Sequence, residues 1–172
     1  MTRPIDRNAV DRLVVEHLPA ALRMALRLSG DPSTAEDLVQ ETLVRVLRDW
    51  RRFRGDSSFK TWLLQILVNI DRDRRRRLRP YQPLEDADVE VPDAEPTAAE
   101  RMIAAELTDE VRAAVDGLPD RQREVALLTW GEGCTPSEVA TILHINEPNV
   151  YATLHLARKR IAKTIGANQP NL

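Results

Sequence analysis

The sequence is poor in the features that mark secreted, metal-binding and membrane proteins. Its one cysteine, Cys134, cannot form an internal disulfide, which is typical of a protein in the reducing cytoplasm. With no second cysteine and only three histidines, we expect no metal site. The chain has no run of about 18 apolar residues and no apolar signal-peptide core near its start, so we expect no membrane insertion.

Sequence motifs of catalysis are missing as well. We find no Gly-rich loop that could cradle a phosphate and no nucleophile placed beside a base. The acidic residues between positions 80 and 100 are too loosely placed to form a dependable acid–base pair. The sequence therefore predicts a protein that is not an enzyme and needs no cofactor.

Charge is distributed unevenly along the chain, although the net charge is only −2. Residues 1–79 contain 17 Lys and Arg against 11 Asp and Glu, whereas residues 80–100 contain seven acidic residues and no basic one. This asymmetry places the basic surface in the first segment. The acidic stretch also holds four prolines between positions 80 and 96, which predicts an extended, flexible linker.

The first 79 residues predict three helices. The first spans residues 8–29, and Pro19 is expected to kink or split it. The second begins with a capping box of Ser33 and Glu36, and a polar corner at residues 54–58 separates it from the third. The apolar positions that we expect in the core of the second and third helices are Leu38, Val39, Leu43, Val46, Leu47, Trp50, Phe59, Trp62, Leu63, Ile66, Leu67 and Ile70.

The third helix continues into a dense run of arginines. Six of the eight residues from 72 to 79 are arginine, which is more than the end of a helix needs to balance its dipole. We interpret the run as a phosphate-binding segment with strongly salt-dependent binding, and a solvated helix end is the alternative. Phe59 and Trp62 are expected in the core rather than as stacking platforms.

The rest of the chain predicts four helices, at residues 98–115, 120–130, 135–143 and 147–165. Thr135 and Glu138 predict a capping box at the third of these helices, and Asn146 is expected to cap the fourth. His144 stands in the turn position usually held by glycine, and histidine is one of the few other residues that adopt positive φ. Two helices joined by such a tight turn are typical of a helix-turn-helix.

Three separated blocks carry a family resemblance. GDPSTAEDLVQET, then FRGDSSFKTWL, then Asn69 ahead of the arginine run resemble region 2 of the extracytoplasmic-function (ECF) sigma factors, the bacterial initiation factors that bring RNA polymerase to promoters. LPDRQREV and LHLARKRI resemble region 4 of the same family. The resemblance implies an all-α fold of two small helical domains, a region 2-like bundle at 1–79 and a region 4-like four-helix domain at 98–172, joined by a flexible acidic linker at 80–97.

The resemblance also implies three contact surfaces. The −10 promoter element would be bound and melted by Gly55, Asp56, Ser57, Ser58, Lys60, Trp62, Asn69, Arg72, Arg75, Arg76 and Arg77. The clamp helices of the largest subunit of core RNA polymerase would meet Asp37, Gln40, Glu41 and Arg45. The −35 element would be contacted by Ser137, Glu147, Asn149, Tyr151, His155, Arg158 and Lys159. Further implied partners are the flap of the second-largest subunit and an anti-sigma factor that clamps the two domains.

Two features leave alternatives open. The acidic linker is either a solvated tether or a mimic of nucleic acid that lies in a basic channel of the polymerase. In the last helix Tyr151, Ala152 and Thr153 replace a Lys, a Ser and an Arg of the family pattern, which predicts weak −35 binding. The chain could then be a sigma-like adaptor whose C-terminal domain binds protein, or a dimeric helix-turn-helix repressor that binds palindromic duplex sites without polymerase.

Overall fold

The computed structural model describes residues 6–78 and 109–168. Its α-helices are α1 (Arg7–Ser29), α2 (Pro32–Asp49), α3 (Phe59–Leu78), α4 (Asp109–Asp116), α5 (Asp120–Ala126), α6 (Pro136–Leu143) and α7 (Glu147–Asn168). No strand occurs within these two ranges, so the predicted all-α class is confirmed. The predicted linker at 80–97 and the first part of the predicted helix at 98–115 lie outside the described residues.

The first compact unit is a bundle in which α1, α2 and α3 pack against one another. Each large apolar side chain buried in it contributes about 1.5–3 kcal/mol. The fully buried ones are Val10, Met24, Val46, Leu63, Leu64, Leu67 and Val68. Five positions predicted for the core are only half-buried. Leu43, Leu47 and Ile66 lie at the edge of the buried arc of their helices, Trp62 lies on the outer side of α3, and Trp50 lies in the turn after α2.

One local prediction for this unit is narrowed by the structure, and another is wrong. Helix α1 runs unbroken through Pro19, so Pro19 does not split it. The proline lies on the exposed side, where water can satisfy the carbonyl of residue 15 that Pro19 leaves without an N–H donor. Helix α2 starts at Pro32, and its N-cap is Asp31, whose carboxylate accepts the Thr34 amide at 2.8 Å. Proline suits the first helical position, so the cap falls directly before it and not at Ser33.

The corner between α2 and α3 rests on an aromatic cluster. A 3₁₀ turn at Trp50–Arg52 follows α2, and the loop then continues to Phe59, the first residue of α3. Phe53 packs against Phe59 and Trp62 with ring centroids 5.6 and 5.2 Å apart, and Phe59 and Trp62 are 5.7 Å apart. His17 of α1 stacks on Phe59 at 6.0 Å. The cluster therefore fixes both ends of the predicted polar corner.

The second compact unit contains α4 to α7, with a π-helical turn at Leu127–Gly131 after α5. The Thr135–Glu138 capping box is confirmed, since each residue bonds the backbone amide of the other. His144 has φ 56°, as the turn requires. The Asn146 side chain accepts the Asn149 amide at 2.8 Å, which confirms the cap of α7. Cys134 is buried and forms no disulfide within the described residues.

Candidate nucleic-acid interface

One side of α3 carries a continuous stripe of polar and aromatic side chains. Trp62, Gln65, Asn69, Arg72 and Arg76 follow one another at alternating spacings of three and four residues, which places them on one face of a helix. The opposite arc is buried and includes Leu64, Leu67, Val68 and Asp71. Gln65 was missed by sequence reasoning, although its spacing between Trp62 and Asn69 was the signal that could have found it.

The arginines of the run are not equivalent. Arg75 is only 16% exposed, and its Nε lies 2.9 Å from Oδ2 of the fully buried Asp71. Arg74 also approaches Asp71, with Nη2 3.7 Å from Oδ1. Arg76 is 73% exposed, with Nη1 3.8 Å from Oδ1 of Asp73. Among the arginines predicted to meet DNA, Arg76 and Arg77 are exposed and Arg72 is half-buried, whereas Arg75 is held on the core side.

The polar loop before α3 has a defined shape. Gly55 takes φ 76°, a conformation that favours glycine. Asp56 is exposed, and Ser57 is half-buried. The Ser58 hydroxyl accepts the Thr61 amide at 3.1 Å and shares a hydrogen bond with the Thr61 hydroxyl at 2.8 Å. Ser58 thus caps α3, and Lys60, half-buried, lies in the first turn of that helix.

Two carboxylates mark the ends of α2, the exposed Asp31 and the half-buried Asp49. Hydrogen bonds from the Thr34 hydroxyl and amide hold the pKa of Asp31 below its usual value, with a smaller contribution from the positive charge of Arg74. At the other end, the hydrogen bond from Arg48 lowers the pKa of Asp49, whose Oδ2 lies 2.8 Å from Arg48 Nη2. Both carboxylates are therefore charged at neutral pH, and they offset part of the positive charge of the neighbouring arginines.

The outer face of α2 presents the residues predicted to meet polymerase. Asp37, Gln40 and Glu41 are exposed, and Arg45 is half-buried. Nη2 of Arg45 lies 2.6 Å from Oε1 of Glu41. The structure adds Val44, which is 63% exposed and follows Asp37, Gln40 and Glu41 by seven, four and three residues. Sequence reasoning missed Val44, although its spacing from Gln40 and Glu41 places it on this polar face.

In the second unit, α7 gathers most of the residues predicted for the −35 element. Glu147, Tyr151, His155 and Lys159 repeat every four residues and are all exposed, so they lie on one side of the helix. Asn149 is exposed but lies on another side of α7, and Ser137 is exposed in the first turn of α6. The Arg158 guanidinium lies over the Trp130 ring, 5.9 Å from its centroid. Arg158 is therefore half-buried, whereas Lys159 next to it reaches solvent.

Within residues 6–78 and 109–168 no group of three or more His, Cys, Asp or Glu side chains is placed to hold a metal ion. No helix in the same ranges is long and apolar enough to cross a membrane.

A basic helix in one helical unit and a helix-turn-helix in the other define the class of a two-part, all-helical DNA-binding protein. Comparison with known proteins gives the family. Residues 13–80 match the model of Sigma-70 region 2, and residues 108–161 match that of Sigma-70, region 4. The chain belongs to the ECF sigma factors of the sigma-70 family, and it is an alternative sigma factor that directs RNA polymerase to promoters.

Individual relatives agree with this assignment. The ECF sigma factor SigE of Mycolicibacterium smegmatis is 33% identical over 154 residues, which are 88% of this chain but only 59% of SigE. The ECF sigma factor EcfG of Rhodopseudomonas palustris is 32% identical over 150 residues, 87% of this chain and 81% of EcfG. Among solved structures, the sigma factor RpoE of Bartonella quintana, crystallised with the anti-sigma factor NepR, is 25% identical with a TM-score of 0.69, covering 92% of this chain and 98% of that chain.

Proposed function

We propose that this sigma factor binds and melts the −10 element with the loop at residues 55–58 and the outer stripe of α3. The observation that carries the proposal is the stripe itself, since Asn69, Arg72 and Arg76 lie in line with one another on the same side of one helix. Arginines at this spacing bind successive phosphates along a strand. Asn69 adds an amide that can hydrogen-bond a base or a phosphate.

The loop supplies the second element of melting. A base that leaves the duplex costs a few kcal/mol of stacking and pairing, which contacts to the extruded base must offset. Gly55 lets the backbone turn close to a ligand, and Asp56 and Ser57 offer polar groups beside it. The aromatic cluster of Phe53, Phe59 and Trp62 holds the loop in place, so that it does not have to be ordered when DNA binds.

Docking on core polymerase is assigned to the outer face of α2. Asp37, Gln40 and Glu41 present acidic and amide groups to the clamp helices, where carboxylates pair with arginines. Val44 lies among them and gives the face an apolar centre inside a polar rim, the arrangement found at the core of protein interfaces. Arg45 would exchange its bond with Glu41 for a bond to the partner.

Contact with the −35 element is assigned to α7, the second helix of the helix-turn-helix, which lies in the major groove in proteins of this type. Tyr151, His155 and Lys159 share the exposed side, and Ser137 and Asn149 are placed to reach the flanking backbone or a base. Because Lys159 is the one exposed Lys or Arg between residues 147 and 159, and Arg158 beside it is half-buried over Trp130, we infer weak −35 affinity with few phosphate contacts.

Further partners follow from the relatives. The RpoE structure contains the anti-sigma factor NepR, and by analogy we infer that an anti-sigma factor controls this chain as well. The flap of the second-largest polymerase subunit is the inferred neighbour of residues 98–172, and the linker at 80–97 connects the two DNA-binding units. We infer that the protein acts in the cytoplasm, where polymerase is, and that it catalyses no reaction itself.

A run-off transcription assay with purified core polymerase and a pool of genomic promoter fragments tests the proposal. We expect transcripts that appear only with this protein and that are lost in the Arg72→Ala, Arg76→Ala double variant. The matched control is Arg12→Ala on α1, an exposed arginine outside the stripe, which should leave transcription unchanged. Loss of transcription with retained binding to core polymerase would locate the defect at DNA, whereas transcription by the double variant would refute the −10 assignment.

A further inference from the structure

Asp71 is an exception among the charged residues of α3, because its side chain is fully buried. It follows Leu64 by seven residues, Leu67 by four and Val68 by three, so it occupies the next core-facing position of the helix after three apolar ones. A carboxylate in such a place is strongly destabilising unless charged groups and hydrogen bonds compensate it. The buried position therefore needs a reason beyond packing.

The compensation comes from the arginine run itself. Arg75 lies one turn further along the helix and brings its Nε to 2.9 Å from Oδ2 of Asp71. Arg74 brings Nη2 to 3.7 Å from Oδ1 and also lies within electrostatic range of Asp31, the N-cap of α2. These two arginines therefore connect the end of α3 to a buried anion and, through Asp31, to the start of the neighbouring helix.

We propose that Asp71 is a positioning residue for the −10 surface: it holds Arg75, and with it Arg74, against the bundle, so that the last two turns of α3 stay ordered and present Arg72 and Arg76 to DNA. Arg75 is then a structural partner of Asp71 rather than a phosphate contact. The inference deepens the proposed function and rests on it for the identity of the DNA-facing residues.

Helix geometry explains why one run of arginines can have both roles. Successive residues are 100° apart, so Arg75 and Arg76 cannot point to the same side. Arg75 lies above Asp71 and Leu64 on the core side, and Arg76 lies above Asn69 and Arg72 on the outer side. Neutralisation by Asp71 also lowers the repulsion among neighbouring arginines, which would otherwise favour fraying of the helix end.

A first experiment needs no DNA. Native-state hydrogen exchange of the full-length protein is compared for the wild type, Asp71→Asn, Arg75→Ala and Arg76→Ala. We expect the amides of residues 72–78 to exchange about tenfold faster in the first two variants, because those turns open locally, while the amides of residues 63–68 keep their rates. Arg76→Ala is the matched control, since it removes an exposed arginine from the same segment and should change neither group.

Arg75→Lys is the conservative variant. It keeps a positive charge near Asp71 and should restore part of the protection that Arg75→Ala loses. If Arg75→Ala or Asp71→Asn unfolds the whole protein, residues 63–68 will lose protection as well. The test is then made with Arg75→Lys, in which residues 72–78 should exchange faster than in the wild type while residues 63–68 keep their rates. Unchanged exchange at residues 72–78 in both Asp71→Asn and Arg75→Ala would overturn the proposal.

A second experiment measures how the affinity of the reconstituted holoenzyme for a promoter fragment recovered from the run-off pool depends on salt. Log K falls linearly with log salt, and each lost phosphate contact reduces the magnitude of this negative slope by about 0.7–0.9. We expect this decrease for Arg76→Ala but not for Arg75→Ala or Asp71→Asn, which should weaken binding at fixed salt with an unchanged slope. A decrease for Arg75→Ala equal to that for Arg76→Ala would overturn the assignment of Arg75.

The two experiments separate the inference from the proposed function. If Arg72→Ala and Arg76→Ala leave the salt slope unchanged, the −10 surface is wrongly assigned and the positioning role toward DNA fails with it. Selective loss of protection at residues 72–78 in Asp71→Asn would still show the anchoring of the helix end. If Arg72→Ala and Arg76→Ala both reduce the magnitude of the salt slope, and the exchange of residues 72–78 does not change in Asp71→Asn, the −10 surface is right and the role of Asp71 is wrong.

Discussion

Glu41 and Arg45, one turn apart on α2, form an ion pair in which Nη2 of Arg45 lies 2.6 Å from Oε1 of Glu41. Both residues belong to the face assigned to polymerase docking, and the Glu41 side chain is half in solvent. Exposed pairs at this spacing contribute only about 0.3–0.5 kcal/mol to stability. The pair therefore contributes little to folding, and it fixes the Arg45 guanidinium beside Glu41 on the docking face.

Glu41→Gln should separate docking from stability. Since the pair is exposed, we expect the free energy of unfolding in urea to change by less than about 0.5 kcal/mol. Affinity for core polymerase, measured by competition with the wild type, should fall by about tenfold because a charged partner at the interface is lost. The control is Asp11→Asn, which breaks the similar exposed pair of Arg7 and Asp11 on α1. Equal losses of affinity in both variants would contradict the assignment of α2.

Val44→Asp tests the apolar centre of the same face. Because 63% of Val44 is exposed, a charge there should change the free energy of unfolding by less than about 0.5 kcal/mol. Docking should weaken by about tenfold or more, since the carboxylate would have to be desolvated at the centre of an interface. Val15→Asp is the matched control, because Val15 is 72% exposed on α1. The measurement is again competition for core polymerase, and unchanged affinity in Val44→Asp would remove Val44 from the interface.

Local chemistry was well predicted from the sequence, and side-chain burial was not. The caps at Thr135 and Asn146 and the positive φ of His144 depend only on a few neighbouring residues, so the sequence was enough. At the start of α2 both Asp31 and Ser33 are residues that can cap a helix. Asp31 is the cap because Pro32 takes the first helical position. The order of the helices and the helix-turn-helix also followed from spacing alone.

Burial on α3 shows what local chemistry leaves open. Arg75 was read as one member of the arginine run and Asp71 was not singled out, because sequence shows that residues are charged but not which side of a helix meets its neighbours. The spacing of Asp71 from Leu64 and Leu67 held the signal, but its meaning depends on how the three helices pack. The DNA and polymerase contacts themselves remain predictions, since they involve partners outside the chain.

His144→Gly should stabilise the helix-turn-helix. A residue other than glycine at φ 56° is strained by about 1–2 kcal/mol. Relief of this strain should exceed the entropy cost of glycine, about 0.5–1 kcal/mol, and raise the free energy of unfolding by roughly 0.5–1 kcal/mol. Gly133→Ala tests the opposite change, from glycine to a residue with a Cβ at positive φ. Gly133 has φ 65°, and no atom lies within 4 Å of an added Cβ. That variant should destabilise through the backbone alone. Thermal and urea unfolding of the full-length protein measure both, and a less stable His144→Gly would show that the histidine side chain outweighs its strain.

Arg158→Gln and Lys159→Gln should differ although the residues are adjacent. Arg158 lies over the Trp130 ring at 5.9 Å, and such a cation–π contact contributes about 0.5–1 kcal/mol, so its loss should lower the free energy of unfolding by that amount. Lys159 is exposed, and its loss should leave stability unchanged.

In holoenzyme binding to duplex DNA that carries the −35 element, Lys159→Gln should lower the salt slope by about 0.9, the value for one phosphate contact on a duplex, and Arg158→Gln should not. Trp130→Leu removes the stacking partner and tests the assignment of Arg158 directly. After this change the Arg158→Gln substitution should cost less stability than in the wild type, because the two residues act as one contact. A full additional loss of stability in the double variant would show that Arg158 stabilises the fold independently of Trp130. A lowered slope for Arg158→Gln would place Arg158 on the DNA with Lys159.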